Sequence, residues 1–111
     1  MTQAESIAVW LEQPSPTGLG AQLAQKWANN EFVSIAGAYD PIGALLARQA
    51  GFDALYLSGG ALTASLGLPD LGLITMEELV DGARAIVRAA RVPLVGDGDT
   101  GFGEALNVMR L

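Results

Sequence analysis

The sequence predicts an α/β fold with parallel strands, and three observations carry that prediction. Short apolar runs at Phe32-Val33-Ser34-Ile35-Ala36, Ala54-Leu55-Tyr56-Leu57 and Pro93-Leu94-Val95-Gly96 read as strands. Stretches of helical periodicity separate them and are long enough to serve as crossovers, so the strands pair in parallel through right-handed βαβ units. Each strand then runs into a short loop: Ala38-Tyr39-Asp40, Ser58-Gly59-Gly60 and Asp97-Gly98-Asp99. In a parallel sheet these loops share the edge formed by the strand C-termini, where ligand chemistry gathers.

Residues 1–16 are mixed in character and end in Gln13-Pro14-Ser15-Pro16, the pattern of an N-terminal arm or linker ahead of a domain over 17–111. Leu19, Leu23 and Trp27 recur at i, i+4 and i+8 and predict a helix over Leu19 to Ala28. Trp27, like Trp10, is expected to pack in the core or across the end of the sheet. After the first strand, Asp40 supplies an N-cap and Pro41 a first helical residue, with Ile42, Leu45 and Leu46 as the apolar stripe. The second strand leads through Ser58-Gly59-Gly60 into a polar-poor loop expected over Ala61 to Ile74. Thr75 and Glu78 then form a capping box, and Met76, Leu79, Val80, Ala83, Ile86, Val87 and Ala90 repeat as one buried face. Following the third strand and the Asp97 loop, a further helix begins near Glu104.

With 111 residues, half of them apolar and 16% charged, the chain is a packed globular one. Six basic against twelve acidic residues give a net charge of -6, which offers no basic footprint for nucleic acid or an anionic membrane, and neither is expected as a partner. The absence of cysteine and histidine excludes disulfides, thiolate metal sites, common zinc sites and histidine-based triads within these residues. Any metal must therefore be held by oxygen, which suits magnesium, manganese or calcium. The N-terminus carries Glu5 and Glu12 without a basic region, and the longest uncharged run, Ala54 to Pro69, is too short to span a bilayer. A cytoplasmic protein is expected.

The stretch Pro93 to Val108 poses a chemical choice. Gly96, Gly98 and Gly101 have the G-x-G-x-x-G spacing of a dinucleotide-binding turn, yet Asp97 and Asp99 lie inside the same loop. Such a turn faces an anionic pyrophosphate, and like charges about 4 Å apart repel by about 1 kcal/mol in water and about 4 kcal/mol at an intermediate dielectric. The acidic residue required about 20 residues later, after a second strand, also has no place before Leu111. An EF-hand loop starting at Asp97 needs glycine at its sixth position and glutamate at its twelfth, where Phe102 and Val108 stand. Two readings remain. In one, Asp97 and Asp99 leave an extended segment on the same side and share one hard cation. In the other, Asp97 caps the turn, Asp99 is solvated and the glycines serve the bend.

Four motifs in order give the chain a more specific likeness: Gly37-Ala38-Tyr39-Asp40; Ala50-Gly51-Phe52-Asp53-Ala54-Leu55-Tyr56-Leu57-Ser58-Gly59-Gly60; Ser65-Leu66-Gly67-Leu68-Pro69-Asp70-Leu71-Gly72; and Asp97-Gly98-Asp99-Thr100-Gly101-Phe102-Gly103. From Phe32 to Leu111 the sequence resembles the isocitrate lyase and phosphoenolpyruvate mutase superfamily, and within it the methylisocitrate lyases. The resemblance implies a TIM-type (β/α)8 barrel of roughly 250 residues, of which this chain would supply a truncated N-terminal portion, the first three βα units. It further implies magnesium, with manganese as a substitute, and a small 2-oxo acid or hydroxy-tricarboxylate substrate. The reaction would be retro-aldol cleavage to pyruvate and succinate, in which a divalent cation stabilises developing enolate charge.

Carried over by motif, Ser58, Gly59 and Gly60 hold the substrate carboxylate with Tyr56 beside them. Asp97 and Asp99 anchor the metal directly or through water, and Asp70 supports its outer shell. The plain alternatives are a strand-to-loop turn at Ser58-Gly59-Gly60 and a turn-forming carboxylate at Asp70. The family's Asp-Ala-Asp is Asp97-Gly98-Asp99 here, which keeps both carboxylates. The family's Lys-Cys-Gly-His proton-donor loop and its later arginine and glutamate ligands would fall beyond Leu111. No catalytic residue is therefore expected within the chain, and the isolated 111 residues are expected to be inactive and, with two open sheet edges, prone to aggregate. A homo-oligomer is expected of the complete enzyme. The competing expectations are an oxaloacetate decarboxylase or a phosphonopyruvate/phosphoenolpyruvate mutase-type enzyme of the same superfamily, and, from another class, a non-catalytic truncated remnant or interaction module.

Overall fold

The computed structural model describes residues 18–111, and the arm expected over residues 1–16, with Trp10, lies outside the described residues. Helix α1 spans Leu19–Ala28, as its periodicity predicts, and turns Leu23 into the core. Trp27 does not follow it: the side chain is 50% exposed, a correction to the packing role expected of it. Strand β1, Ile35–Gly37, begins later than the apolar run that announced it. Its partner strand starts at Ala54, opposite Ile35, so the residues before Ile35 have no neighbouring backbone to pair with, and Phe32 is 93% exposed.

Helix α2, Pro41–Gln49, starts as expected, with Asp40 Oδ1 accepting the Gly43 N–H at 2.7 Å and Pro41 at the first helical position. Strand β2 is Ala54–Leu57. The loop expected over Ala61 to Ile74 is corrected in its first part, because Gly59–Ser65 forms helix α3. Ser58 Oγ accepts the Ala61 N–H at 3.1 Å, and the buried Thr63 hydroxyl donates to the Gly59 carbonyl at 2.6 Å. Two glycines weaken helix propensity by about 1 kcal/mol each, which hides this helix from periodicity, but the cap and the burial of Leu62 outweigh them.

Helix α4, Met76–Ala90, carries the full capping box: Glu78 N–H donates to Thr75 Oγ1 at 3.1 Å and Thr75 N–H to Glu78 Oε1 at 3.0 Å. Its buried face is Leu79, Ile86 and Ala90, while Val80 lies at the exposed margin. Strand β3, Leu94–Gly96, follows, and after the Asp97 loop a short helix α5 covers Ala105–Arg110.

The three strands form one parallel sheet in the order β1-β2-β3, with Gly37 opposite Tyr56 and Leu57 opposite Gly96. Sheet order follows chain order, so right-handed crossovers place the intervening helices on a single face. The core lies on the helix-covered face, where Leu55, Leu57 and Ile86 are fully buried among Ala44, Leu62, Ile74, Leu79 and Ala90. Burial of each large aliphatic side chain contributes about 1.5–3 kcal/mol. Strand alternation sends Tyr56 to the opposite face, where it is 38% exposed. Among the described residues no helix is long and apolar enough to cross a membrane.

Candidate metal centre at the strand exits

Beyond the C-terminal ends of β2 and β3 lies a cavity of about 110 Å³ lined by Gly59, Thr63, Asp70, Gly72, Ile74, Asp97, Asp99 and Phe102. Three separate segments build it. Helix α3 brings Gly59 and, one turn on, Thr63, the loop after α3 brings Asp70, Gly72 and Ile74, and the exit of β3 brings the two remaining carboxylates and Phe102.

Asp97 ties these segments together. Its Oδ2 accepts the Gly59 N–H at 3.2 Å, across 38 residues of sequence, and its Oδ1 accepts the Asp99 N–H at 2.9 Å. The second bond closes a tight turn at Asp99, which has φ 48°, and Phe102, in the bend that follows, has φ 62°. A left-handed conformation costs a non-glycine residue roughly 1–2 kcal/mol, and both residues that adopt it here line the cavity. The extended alternation expected to aim Asp97 and Asp99 to one side is thereby corrected: they reach the same cavity through a turn. The capping role of Asp97 is present too, and it does not exclude a ligand, since each carboxylate oxygen has a second lone pair.

The electrostatics of the cavity are one-sided. The six cationic side chains are Lys26, Arg48, Arg84, Arg88, Arg91 and Arg110. Among the described residues they make ion pairs only at Lys26–Asp53 and Arg84–Asp81, so none lies within ion-pair distance of Asp70, Asp97 or Asp99.

Of the residues singled out in the sequence, Gly59, Asp70, Asp97 and Asp99 line the cavity. Gly60 sits beside it, with the Asp70 carboxylate 3.0 Å from where a Cβ would stand. Ser58 caps α3 one residue before the lining begins. Tyr56 is on the uncovered sheet face and does not line the cavity, and the first strand exit does not join it either, Asp40 being used as a helix cap. Thr63, Ile74 and Phe102 were not foreseen as site residues. Phe102 and Gly72 stood within quoted motifs, whereas Thr63 had no signal while its segment read as loop.

The donor set suits a hard cation, being oxygen only. Among the described residues no three acidic groups converge closely enough to chelate one ion by themselves. That arrangement fits magnesium, which dehydrates reluctantly and is held by one or two carboxylates with several waters retained. A water takes up about 30 Å³, so the cavity has room for a partly hydrated ion.

Comparison with known proteins agrees with this geometry. The family described as phosphoenolpyruvate phosphomutase matches residues 23–111. A 2-methylisocitrate lyase of Halalkalibacterium halodurans is 50% identical over 103 residues, covering 91% of this chain and 34% of that protein. The crystal structure of a phosphoenolpyruvate phosphomutase from Streptomyces platensis subsp. rosaceus superposes with a TM-score of 0.77 at 47% identity, over 82% of this chain and 32% of the other. A phosphonopyruvate hydrolase, in complex with oxalate and Mg2+, superposes with a TM-score of 0.77 at 35% identity, over 83% of this chain and 32% of the other. The chain thus spans about a third of the length of the relatives it matches. Matched by sequence over the region that folds into the sheet and its exit loops, the chain belongs to the phosphoenolpyruvate phosphomutase family.

Proposed function

We propose that these residues serve a magnesium-dependent carbon–carbon lyase of the methylisocitrate lyase type, which cleaves its substrate by a retro-aldol reaction to pyruvate and succinate. The observation that carries the reading is the set of three carboxylates around one cavity with no cationic side chain of the described residues within ion-pair distance. The half-identical 2-methylisocitrate lyase supports the choice of reaction.

In this reading Asp97 and Asp99 hold the ion, and Asp70 supports it through water. Bound there, the ion supplies Lewis acidity to the oxygen that gains negative charge as the carbon–carbon bond breaks. The chain's own residues do the positioning. The Gly59 N–H and the Asp99 N–H fix both oxygens of Asp97, so the carboxylate is oriented before any ligand arrives. Gly60, at the second position of α3, has an amide with no partner inside the helix, and the Ser58 hydroxyl keeps its proton to donate while accepting from Ala61. These two donors receive the substrate carboxylate, with Tyr56 nearby on the uncovered face of β2. Ile74 and Phe102 give the cavity apolar walls that strengthen electrostatic contacts inside it.

Cleavage moves the substrate hydroxyl proton to a base, turns that oxygen into the carbonyl of pyruvate and leaves the bonding pair on the succinate half, which must then be protonated. None of the residues around this cavity is assigned that acid.

The test is an assay of the full-length protein against 2-methylisocitrate, isocitrate and oxaloacetate, with and without magnesium. Magnesium-dependent release of pyruvate from 2-methylisocitrate is expected. Turnover of oxaloacetate alone would replace the lyase with a decarboxylase of the same family, and no turnover of any of the three would favour a non-catalytic role.

A further inference from the structure

Gly59 and Gly60 are adjacent, yet each is approached by a different carboxylate. A Cβ at Gly59 would stand 3.1 Å from Asp97 Oδ2 and 3.4 Å from Asp97 Cγ. At Gly60 it would stand 3.0 Å from Asp70 Oδ2, with Ser58 Oγ at 3.7 Å. The two neighbours differ in their freedom to yield. Asp97 is held at both oxygens, whereas Asp70 is an exposed side chain on the loop after α3. Gly60 has no positive φ, so its backbone accepts an L side chain without strain.

We infer that Gly60 is a positioning residue for Asp70: its bare α-carbon is the seat against which the Asp70 carboxylate stands at the cavity, and any side chain there moves that carboxylate outward. The inference rests on the proposed metal-binding role of the three carboxylates. It gives the Gly-Gly pair a task besides receiving substrate, namely letting two acidic groups approach one helix turn. Gly59 admits Asp97 as a hydrogen-bond acceptor, and Gly60 admits Asp70 by contact alone. A substitution at Gly60 therefore displaces an exposed carboxylate and leaves the helix in place, whereas one at Gly59 presses on a carboxylate held at both oxygens.

The test is titration of full-length protein with Mn2+, followed by the paramagnetic resonance signal of the free ion, for wild type, Gly60→Ala, Asp70→Ala and the double variant, with thermal unfolding as a check on fold. Loss of an outer-shell partner costs about tenfold in metal affinity. Gly60→Ala is expected to weaken Mn2+ binding by a similar factor at unchanged unfolding temperature, and to add nothing once Asp70 is alanine. Wild-type Mn2+ affinity in Gly60→Ala beside weakened affinity in Asp70→Ala overturns the inference and spares the metal site. A further loss in the double variant also overturns it, because the effect would not pass through Asp70. Asp97→Ala is titrated alongside them, and if neither it nor Asp70→Ala changes Mn2+ binding, the metal reading itself fails.

Discussion

At the entries of the three strands, a groove of about 210 Å³ runs between Leu23, Val33, Val92 and Pro93, and its charged residues are Lys26, Asp53 and Arg91. At the strand exits, the charged residues of the cavity are three aspartates. The entry groove contains its own cations, and Lys26 Nζ stands 3.9 Å from Asp53 Oδ2. The exit cavity has none within ion-pair distance among the described residues. One sheet thus has an end whose charges are balanced by protein and an end whose charges are not. The difference teaches where the fold has been left incomplete as a matter of electrostatics: the exit end gathers like charges and left-handed residues that add no stability of their own, and a cation would relieve them.

The comparison breaks altogether if the shared floor of both ends is removed. Leu55 is fully buried in β2 and central to the core, so Leu55→Ala is expected to cost about 2–5 kcal/mol, measured by chemical denaturation of the full-length protein. A smaller value would show that the two ends do not depend on one packed sheet. Asp97→Asn sharpens the contrast. Losing the carboxylate's charge at the exit is expected to reduce magnesium affinity by about a hundredfold, the upper range for groups that support a metal, with calorimetry as the readout. The same change keeps one acceptor and costs about 1 kcal/mol in stability through the lost bond to an amide. At the entry end the expectation is nearly nil: Lys26→Ala removes an exposed pair and should change stability by less than about 0.5 kcal/mol and metal affinity not at all. A large effect on magnesium from Lys26 would erase the distinction between the ends.

What the sequence disclosed was what is local. The capping box at Thr75 and Glu78 and the Asp40-Pro41 helix start are written within four residues each, and both stand as read. Helix α3 escaped because Gly59 and Gly60 argue for a turn, while the burial of Leu62 and Thr63 that supports the helix is tertiary. The start of β1 was misplaced for a related reason: where pairing begins is decided by the neighbouring strand, and Phe32 and Val33 are apolar without being paired. At the site, the acidic residues were visible in the motifs, yet their geometry was not. The turn at Asp99 and the bond from Gly59 to Asp97 join positions that no periodicity relates. Thr63 became visible as a lining residue only once its segment was seen to be helical.

The central claim is that the carboxylates leaving β3 bind a divalent ion together with the segment after α3. Anomalous diffraction from crystals of the full-length protein grown with Mn2+ tests it most directly. The account predicts a single manganese peak inside the cavity, within direct or water-mediated reach of Asp97 and Asp99 and with Asp70 facing its water shell. Ordered Asp97 and Asp99 side chains with no peak between them, in crystals that hold manganese elsewhere, would contradict it.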